Sequence, residues 1–310
     1  MALENDALAA DPPLPMSTWH QTANLIAVAL PPLALIVSVP LLWGELVGWH
    51  DLVIMAFMYF LTVLGITLGY HRLLTHRSFE TYKPVKYTLA VLGSMAAQGQ
   101  VMTWVADHRR HHAYPDQEGD PHTPHGHGSG VIGAVRGLWH AHTGWLFRFA
   151  GSAERKRYVR DLLADNGLRF IDRSFLIWVL LGLAIPFGLG IAITGSWVGG
   201  LTAVLWGGAV RLLLSHHMTF SINSVCHFFG RRPFGSDDES RNVFWLAIPS
   251  LGEAWHNGHH AFPTSAKHGL LRGQVDITYG MIKLLEKLGL AWDIVKPSPD
   301  RITQRAAANH

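Results

Sequence analysis

None of the 25 Lys and Arg residues lies between Phe175 and Val210, and all of them lie at or after Arg72. A helix crossing a bilayer needs about 20 mainly apolar residues. Four stretches read as such spans: Ala23 to Trp43, Leu52 to Tyr70, Phe175 to Ile193, and Trp197 to Val210 continuing through Leu214. Pro31, Pro32 and Pro40 can kink the first, which membrane helices tolerate. Thr194-Gly195-Ser196 reads as a tight turn between the last two. A composition of 49% hydrophobic and 15% charged residues, with 12 Trp, fits a membrane protein carrying a soluble part. The single cysteine, Cys226, excludes an intramolecular disulfide and a Cys-ligated iron–sulfur or zinc site.

The fold class expected is all-α: an integral membrane protein with four transmembrane helices capped by a helical domain. Residues 1–20 form an acidic, Pro-containing tail without the basic region of a signal peptide, expected to be retained and poorly ordered. Residues 21–70 hold the first two spans, 71–173 a first polar region, 174–214 the last two spans and 215–310 a second polar region. The loop from His71 to Arg173 carries 14 Lys and Arg and the tail after Leu214 carries 10. The positive-inside rule therefore places both regions and both termini in the cytosol; the membrane is expected to be the inner (plasma) membrane.

Both polar regions are rich in histidine. His71 and His76 stand five apart, and His108, His111 and His112 repeat the spacing of His256, His259 and His260. At about 100° per residue, an HxxHH string puts three imidazoles within an arc of roughly 100° of a helix. Spacing of five gives roughly 140° on an α-helix, so that helix is expected to end or turn between His71 and His76 if both serve one site. Tyr87 to Val105 is apolar enough to be a fifth span, but it would send His108 to the wrong side of the membrane. It reads instead as a buried or interfacial helix whose Gln98 and Gln100 face something polar.

Eight clustered histidines exceed the three or four ligands of a mononuclear site and point to two metal ions. Asp107, Asp116, Asp120 and Glu253 are assigned to orient the rings by accepting their outer N–H groups. No His-Glu-x-x-His string occurs, which argues against a zinc hydrolase. Redox metals at the ends of membrane helices suit a substrate whose reactive carbon lies in hydrocarbon, such as a fatty acyl chain. Iron with dioxygen can break an unactivated C–H bond, which zinc-bound hydroxide cannot.

The sequence resembles the membrane fatty acid desaturases of the stearoyl-CoA desaturase type, from about the second span to near residue 295. The resemblance is carried by Gly69-Tyr70-His71-Arg72-Leu73 with His76-Arg77-Ser78; Asp107-His108-Arg109 with His111-His112; Asp116 and Asp120-Pro121-His122; His142-Thr-Gly-Trp145; Asn223-Ser224 with His227; and Gly252-Glu253 through His256-Asn-Gly-His259-His260 to Pro263. It implies a di-iron centre, two Fe2+ ions, on His71, His76, His108, His111, His112, His227, His256, His259 and His260, with Asn223 acting through a water. It also implies that dioxygen and two external electrons remove two hydrogens from a saturated chain, leaving a cis double bond, commonly between carbons nine and ten. The second histidine box has Ala106 where animal enzymes tend to carry a basic residue, and the stretch after Trp145 is more like bacterial members. The acyl carrier therefore stays open among CoA, membrane lipid and acyl-carrier protein. No haem or flavin motif is present, so electrons are expected from a separate donor such as ferredoxin with its reductase. No nucleic-acid partner is expected.

Other features are plainer. His122, His125 and His127 read as loop residues or as supports of the ligands. Glu154 to Arg160 is a basic run suited to lipid headgroups or an acidic partner. Gln274 to Leu290 has the pattern of an amphipathic helix lying on the domain or on the membrane. Val63 and Tyr59, about 12 and 18 Å before His71 along a helix, stand where the methyl end of a chain would stop. Hydroxylation by the same metals and, far behind, metal transport are the alternative activities.

Overall fold

The computed structural model describes residues 18–42, 47–147 and 155–307. The expected tail lies outside the described residues up to Ser17, as do Trp43, Arg148 and Glu154, while Thr18 already opens the first helix. Helices dominate: α1 (Thr18–Leu42), α2 (Trp49–Leu64), α3 (Lys83–Met95), α4 (Val101–Ala113), α5 (Gly130–His142), α6 (Arg155–Tyr158), α7 (Arg160–Leu163), α8 (Asn166–Arg173), α9 (Phe175–Thr194), α10 (Trp197–Val204), α11 (Arg211–Ser224), α12 (His256–Ala261), α13 (Ile277–Lys287) and α14 (Pro299–Ala307). Among the described residues the one sheet is a ladder of β1 (Glu80–Thr81) with β2 (Ala291–Trp292), antiparallel, Glu80 opposite Trp292.

Three helical runs are long and apolar enough to cross a membrane: Trp49–Thr75, Phe175–Thr194 and Trp197–His227. The first expected span corresponds to α1, whose Gln21–Val37 is a shorter apolar stretch. Two runs are longer than hydropathy suggests, because α2 continues as a π-helix, Gly65–Thr75, and α10 continues through a second π-helix, Leu205–Val210, into α11. The helices that enter the apolar zone thus also carry His71 and reach His227. The turn between α9 and α10 forms as expected, with Gly195 at φ +67° and the Ser196 side chain accepting from the Val198 N–H.

Tyr87 to Val105 is two helices and not one. The chain breaks at Ala97 (φ 54°) and Gly99 (φ 110°) before α4 begins at Val101, and neither α3 nor α4 is among the span-length runs. The polar expectation for this break holds: Gln98 Nε2 donates to Thr219 Oγ1 at 2.9 Å and Gln100 Nε2 to the Asp172 carbonyl at 3.1 Å. α3 lies directly on the first π-helix. A Cβ on Gly65 would stand 2.2 Å from the Gly93 backbone nitrogen, so any side chain there forces the two helices apart.

Arg211 is fully buried within the third span-length run. Its guanidinium donates to the carbonyls of Gly207, Met95 and Gly182 at 3.0, 2.8 and 3.2 Å, joining α3, α9 and α11 without a carboxylate. The basic run is only partly a surface: Arg155 is held by Asp172 at 3.0 Å and by the Gln100 carboxamide oxygen at 2.6 Å. The late amphipathic helix is α13. Its Ile282 is buried, and Ile277, Met281 and Leu285 pack on the main apolar core, while Leu284 and Leu288 face outward.

Candidate metal centre

The first π-helix brings His71 and His76 together. In a π-helix the hydrogen bond runs from residue i+5 to residue i, and the His76 N–H donates to the His71 carbonyl at 3.1 Å. Their rings sit 4.8 Å apart. The helix therefore widens where a turn was expected, and it ends only at His76.

Nine buried or half-buried histidines form two groups. One ring nitrogen each of His71, His76, His108, His112 and His259 lies within 4.8 Å of the others, and the same holds for His111, His227, His256 and His260. The two HxxHH strings behave alike. In each, the first and third histidines, four apart and about 40° around an α-helix, serve one group, and the middle one crosses to the other. α4 and α12 are thereby shared by both groups. His227 comes from the 3-10 turn that ends the third apolar run.

Whether the pockets suit metal ions is answered by the nitrogens. Nδ1 of His111 donates to Asp120 at 2.9 Å and Nδ1 of His260 donates to Asp238 at 2.6 Å. Held so in their neutral forms, the two rings turn bare Nε2 lone pairs toward each other, and these atoms are 3.3 Å apart; burial lowers the His111 pKa, but the Asp120 carboxylate outweighs it and raises it. A cation between them removes the repulsion. His76 Nε2 is buried without any hydrogen-bond partner. Burial first, then the crowd of neighbouring histidines, holds His76, His108, His112, His256, His259 and His260 well below the ordinary imidazole pKa. That favours the neutral ring, the form that binds metals. The donor set fits two metal ions.

Carboxylates steady the outer nitrogens. His71 Nδ1 meets Glu253 Oε2 at 2.5 Å and His227 Nδ1 meets Asp116 Oδ2 at 2.8 Å. Burial raises the Asp116 pKa, but the bonded His227 outweighs it and brings the carboxyl down to about 2. Asp116, Asp120 and Glu253 each lie against a ring nitrogen, of His227, His111 and His71 respectively, and Asp107 lines the cavity beside His108. Asp238 does the same work for His260 without having been foreseen. It sits in a run of three acidic residues, 22 positions before its histidine, and nothing in that run distinguishes it. Asp238→Asn is expected to weaken metal retention by about 10- to 100-fold, measured as iron content under chelator competition; unchanged retention would refute the role.

His268 was also unforeseen. It is fully buried, its ring 4.4 Å from that of His259 and its Nδ1 3.4 Å from Glu253 Oε2. His122 is buried against the His111 ring at 4.5 Å, and His125 Nε2 donates to the His227 carbonyl at 2.8 Å. His127 Nε2 donates to the Thr123 carbonyl at 3.2 Å, and its ring lies 4.6 Å from that of His140.

Two cavities meet at the histidines. The outer one is lined by Asn24, Gln98, Asp107 and Trp145, the inner one by Val63, Ile66, Met218 and Ile222. They share Trp104, His108, Thr219 and Asn223, so they adjoin beside the ligand groups. One turn beyond Val63, the Tyr59 hydroxyl donates to the Pro249 carbonyl at 2.8 Å.

Residues 46–272 match the family model for fatty acid desaturases. The chain belongs to the fatty acid desaturase family. This desaturase is 42% identical to the hex-5-enoyl-[acyl-carrier protein] acetylenase of Moorena producens over 286 residues, 92% of this chain and 89% of the relative. It is 38% identical to delta-9 acyl-lipid desaturase 1 of Arabidopsis thaliana, covering 81% of this chain and 77% of the relative. It is also 38% identical to the sn-1 stearoyl-lipid 9-desaturase of Anabaena variabilis, covering 80% and 85% respectively.

Proposed function

We propose that this desaturase converts a saturated long-chain fatty acyl group to its cis-Δ9 monoene at two ferrous ions, in the cytosolic leaflet of the plasma membrane. The observation that carries the reading is the inner cavity beside both ligand groups, lined by Val63, Ile66, Met218 and Ile222 of two membrane-length helical runs. Relatives named as 9-desaturases support the position of the double bond.

His71, His76, His108, His112 and His259 would hold one ion, and His111, His227, His256 and His260 the other, with Asn223 acting through a water. Iron there supplies the one-electron and dioxygen chemistry that oxidises an unactivated C–H bond. The substrate loses two hydrogen atoms, a separate donor such as ferredoxin supplies two electrons and water supplies two protons, and dioxygen is reduced to two waters. The chain's own residues do the positioning. Val63, Ile66, Met218 and Ile222 surround the distal carbons and exclude water, while Glu253, Asp116, Asp120 and Asp238 fix the rings that face the reacting carbons. Four crossings, with α1 as the first, put every histidine group on the side where Lys and Arg concentrate.

The test is gas chromatography of fatty acids from cells expressing the chain beside a His108→Ala control. A new monoene, with its double bond located by derivatisation, is expected only for the native chain. Hydroxylated product without alkene would overturn the reading. Chain length has its own expected result. Tyr59→Ala opens the floor below Val63 and shifts product toward longer chains by about two carbons, since a helical turn of about 5.4 Å spans about that length of acyl chain. An unchanged product profile would remove Tyr59 as the floor.

A further inference from the structure

Phe244, Trp245 and Ile248 are 78%, 66% and 56% exposed, a large apolar outer surface on a loop that otherwise packs inward. Two attachments fix how deep that loop sits. On one side, the next residue after Ile248, Pro249, accepts the Tyr59 hydroxyl of α2 at 2.8 Å. Tyr59 is about 18 Å before His71 along the helix axis at about 1.5 Å per residue, well inside the span-length run Trp49–Thr75. On the other side, buried Leu246 belongs to a cluster with Met218 and Ile222 packed against it. Those residues precede His227 by about 14 and 8 Å within the run Trp197–His227. The inner side of the same loop contributes Ser250 to the cavity wall, opposite Val63 and Ile222.

We propose that Phe244 to Ile248 is a membrane-embedded loop, its outer face among the acyl chains of the leaflet on the histidine side, walling the inner cavity off from the bilayer. The occupant of the apolar face is lipid hydrocarbon, because the two elements that flank the loop are themselves apolar runs at the same depth. An aqueous face at that level would expose three large apolar side chains to water between two lipid-facing helices. The loop carries a structural duty inward as well: Glu253, which holds His71, follows it by five residues. The third histidine box is thus approached from within the membrane zone.

The proposal rests on the membrane reading above, and the test separates the two. The one native cysteine, Cys226, is buried, so cysteines placed at position 245 or 248 can be spin-labelled selectively in the full chain, one chain per lipid nanodisc. The probes are oxygen, which collects in hydrocarbon, and a nickel chelate, which stays in water. Trp245→Cys and Ile248→Cys labels are expected to collide more often with oxygen than with nickel, like a Leu180→Cys label on the outer face of α9. A Gln304→Cys label on the exposed side of α14 is expected to show the reverse. Nickel-dominated collisions at 245 and 248 with Leu180 still oxygen-dominated would overturn the loop's insertion. Collisions with neither probe would overturn it too, since protein and not lipid would then cover the face. A nickel-dominated Leu180 label would defeat the membrane reading itself. The two loop positions are independent, so a fold lost in one variant leaves the other to decide, with iron content and a monodisperse elution profile as the folding check.

Discussion

His227→Ala will abolish detectable monoene in expressing cells and drop the iron content from two per chain toward one. The four-histidine group has no spare donor among its members: His111, His256 and His260 remain, and His227 Nε2 is the atom 2.9 Å from His256 Nε2. Replacing a residue that only supports a ligand costs about 10- to 100-fold, and removing the ligand itself is expected to exceed that range. The variant also strands Asp116, which still accepts the Glu239 N–H at 2.8 Å but loses its partner of 2.8 Å on the ring. Fatty acid profiles and iron analysis of the purified protein check the result together. Native product levels with two irons retained would show that His227 is not a ligand.

His227 also shows where the sequence is legible and where it is not. The strings His108 to His112 and His256 to His260 are visible because an α-helix turns a spacing of three and four into one face. His227 stands alone in the sequence, and only the family resemblance pointed to it. His71 and His76 looked mismatched because the expected period was that of an α-helix. The π-helix over Gly65–Thr75 changes the period locally, and no propensity in those residues announces it. The break inside Tyr87 to Val105 was hidden for a related reason: hydropathy averages over a turn as short as Ala96 to Gln100. Asp238 and His268 are legible only in three dimensions, since they meet their partners through a chain reversal. Three of the four expected apolar runs reappear as span-length helices, because crossing a bilayer is a demand on composition and length alone.

Arg72→Leu carries the largest expected cost in stability. Arg72 is fully buried beside His71 and meets two carboxylates: Nη2 lies 2.9 Å from Glu253 Oε1 and 3.0 Å from Asp276 Oδ1, and Nη1 also donates to the Ala266 carbonyl at 2.6 Å. Each acid has further work. Glu253 holds His71, while Asp276 caps α13 through the Tyr279 N–H and accepts from the His268 N–H at 2.7 Å. One guanidinium therefore ties a ligand of the five-histidine group to the late amphipathic helix. Removing one side of a buried ion pair costs about 3–5 kcal/mol because the remaining charge is left uncompensated, and here two carboxylates are left. Arg211→Met is the informative contrast: it releases three neutral carbonyls and strands no charge, so its loss should be smaller. Thermal unfolding followed by size-exclusion chromatography ranks them, with Arg72→Leu expected to melt lowest. Adding Asp276→Asn to Arg72→Leu should recover part of the loss by removing one stranded charge, at the expense of a weaker α13 cap. Equal melting of Arg72→Leu and the native chain would show that the carboxylates, and not the pairing, set the geometry around His71.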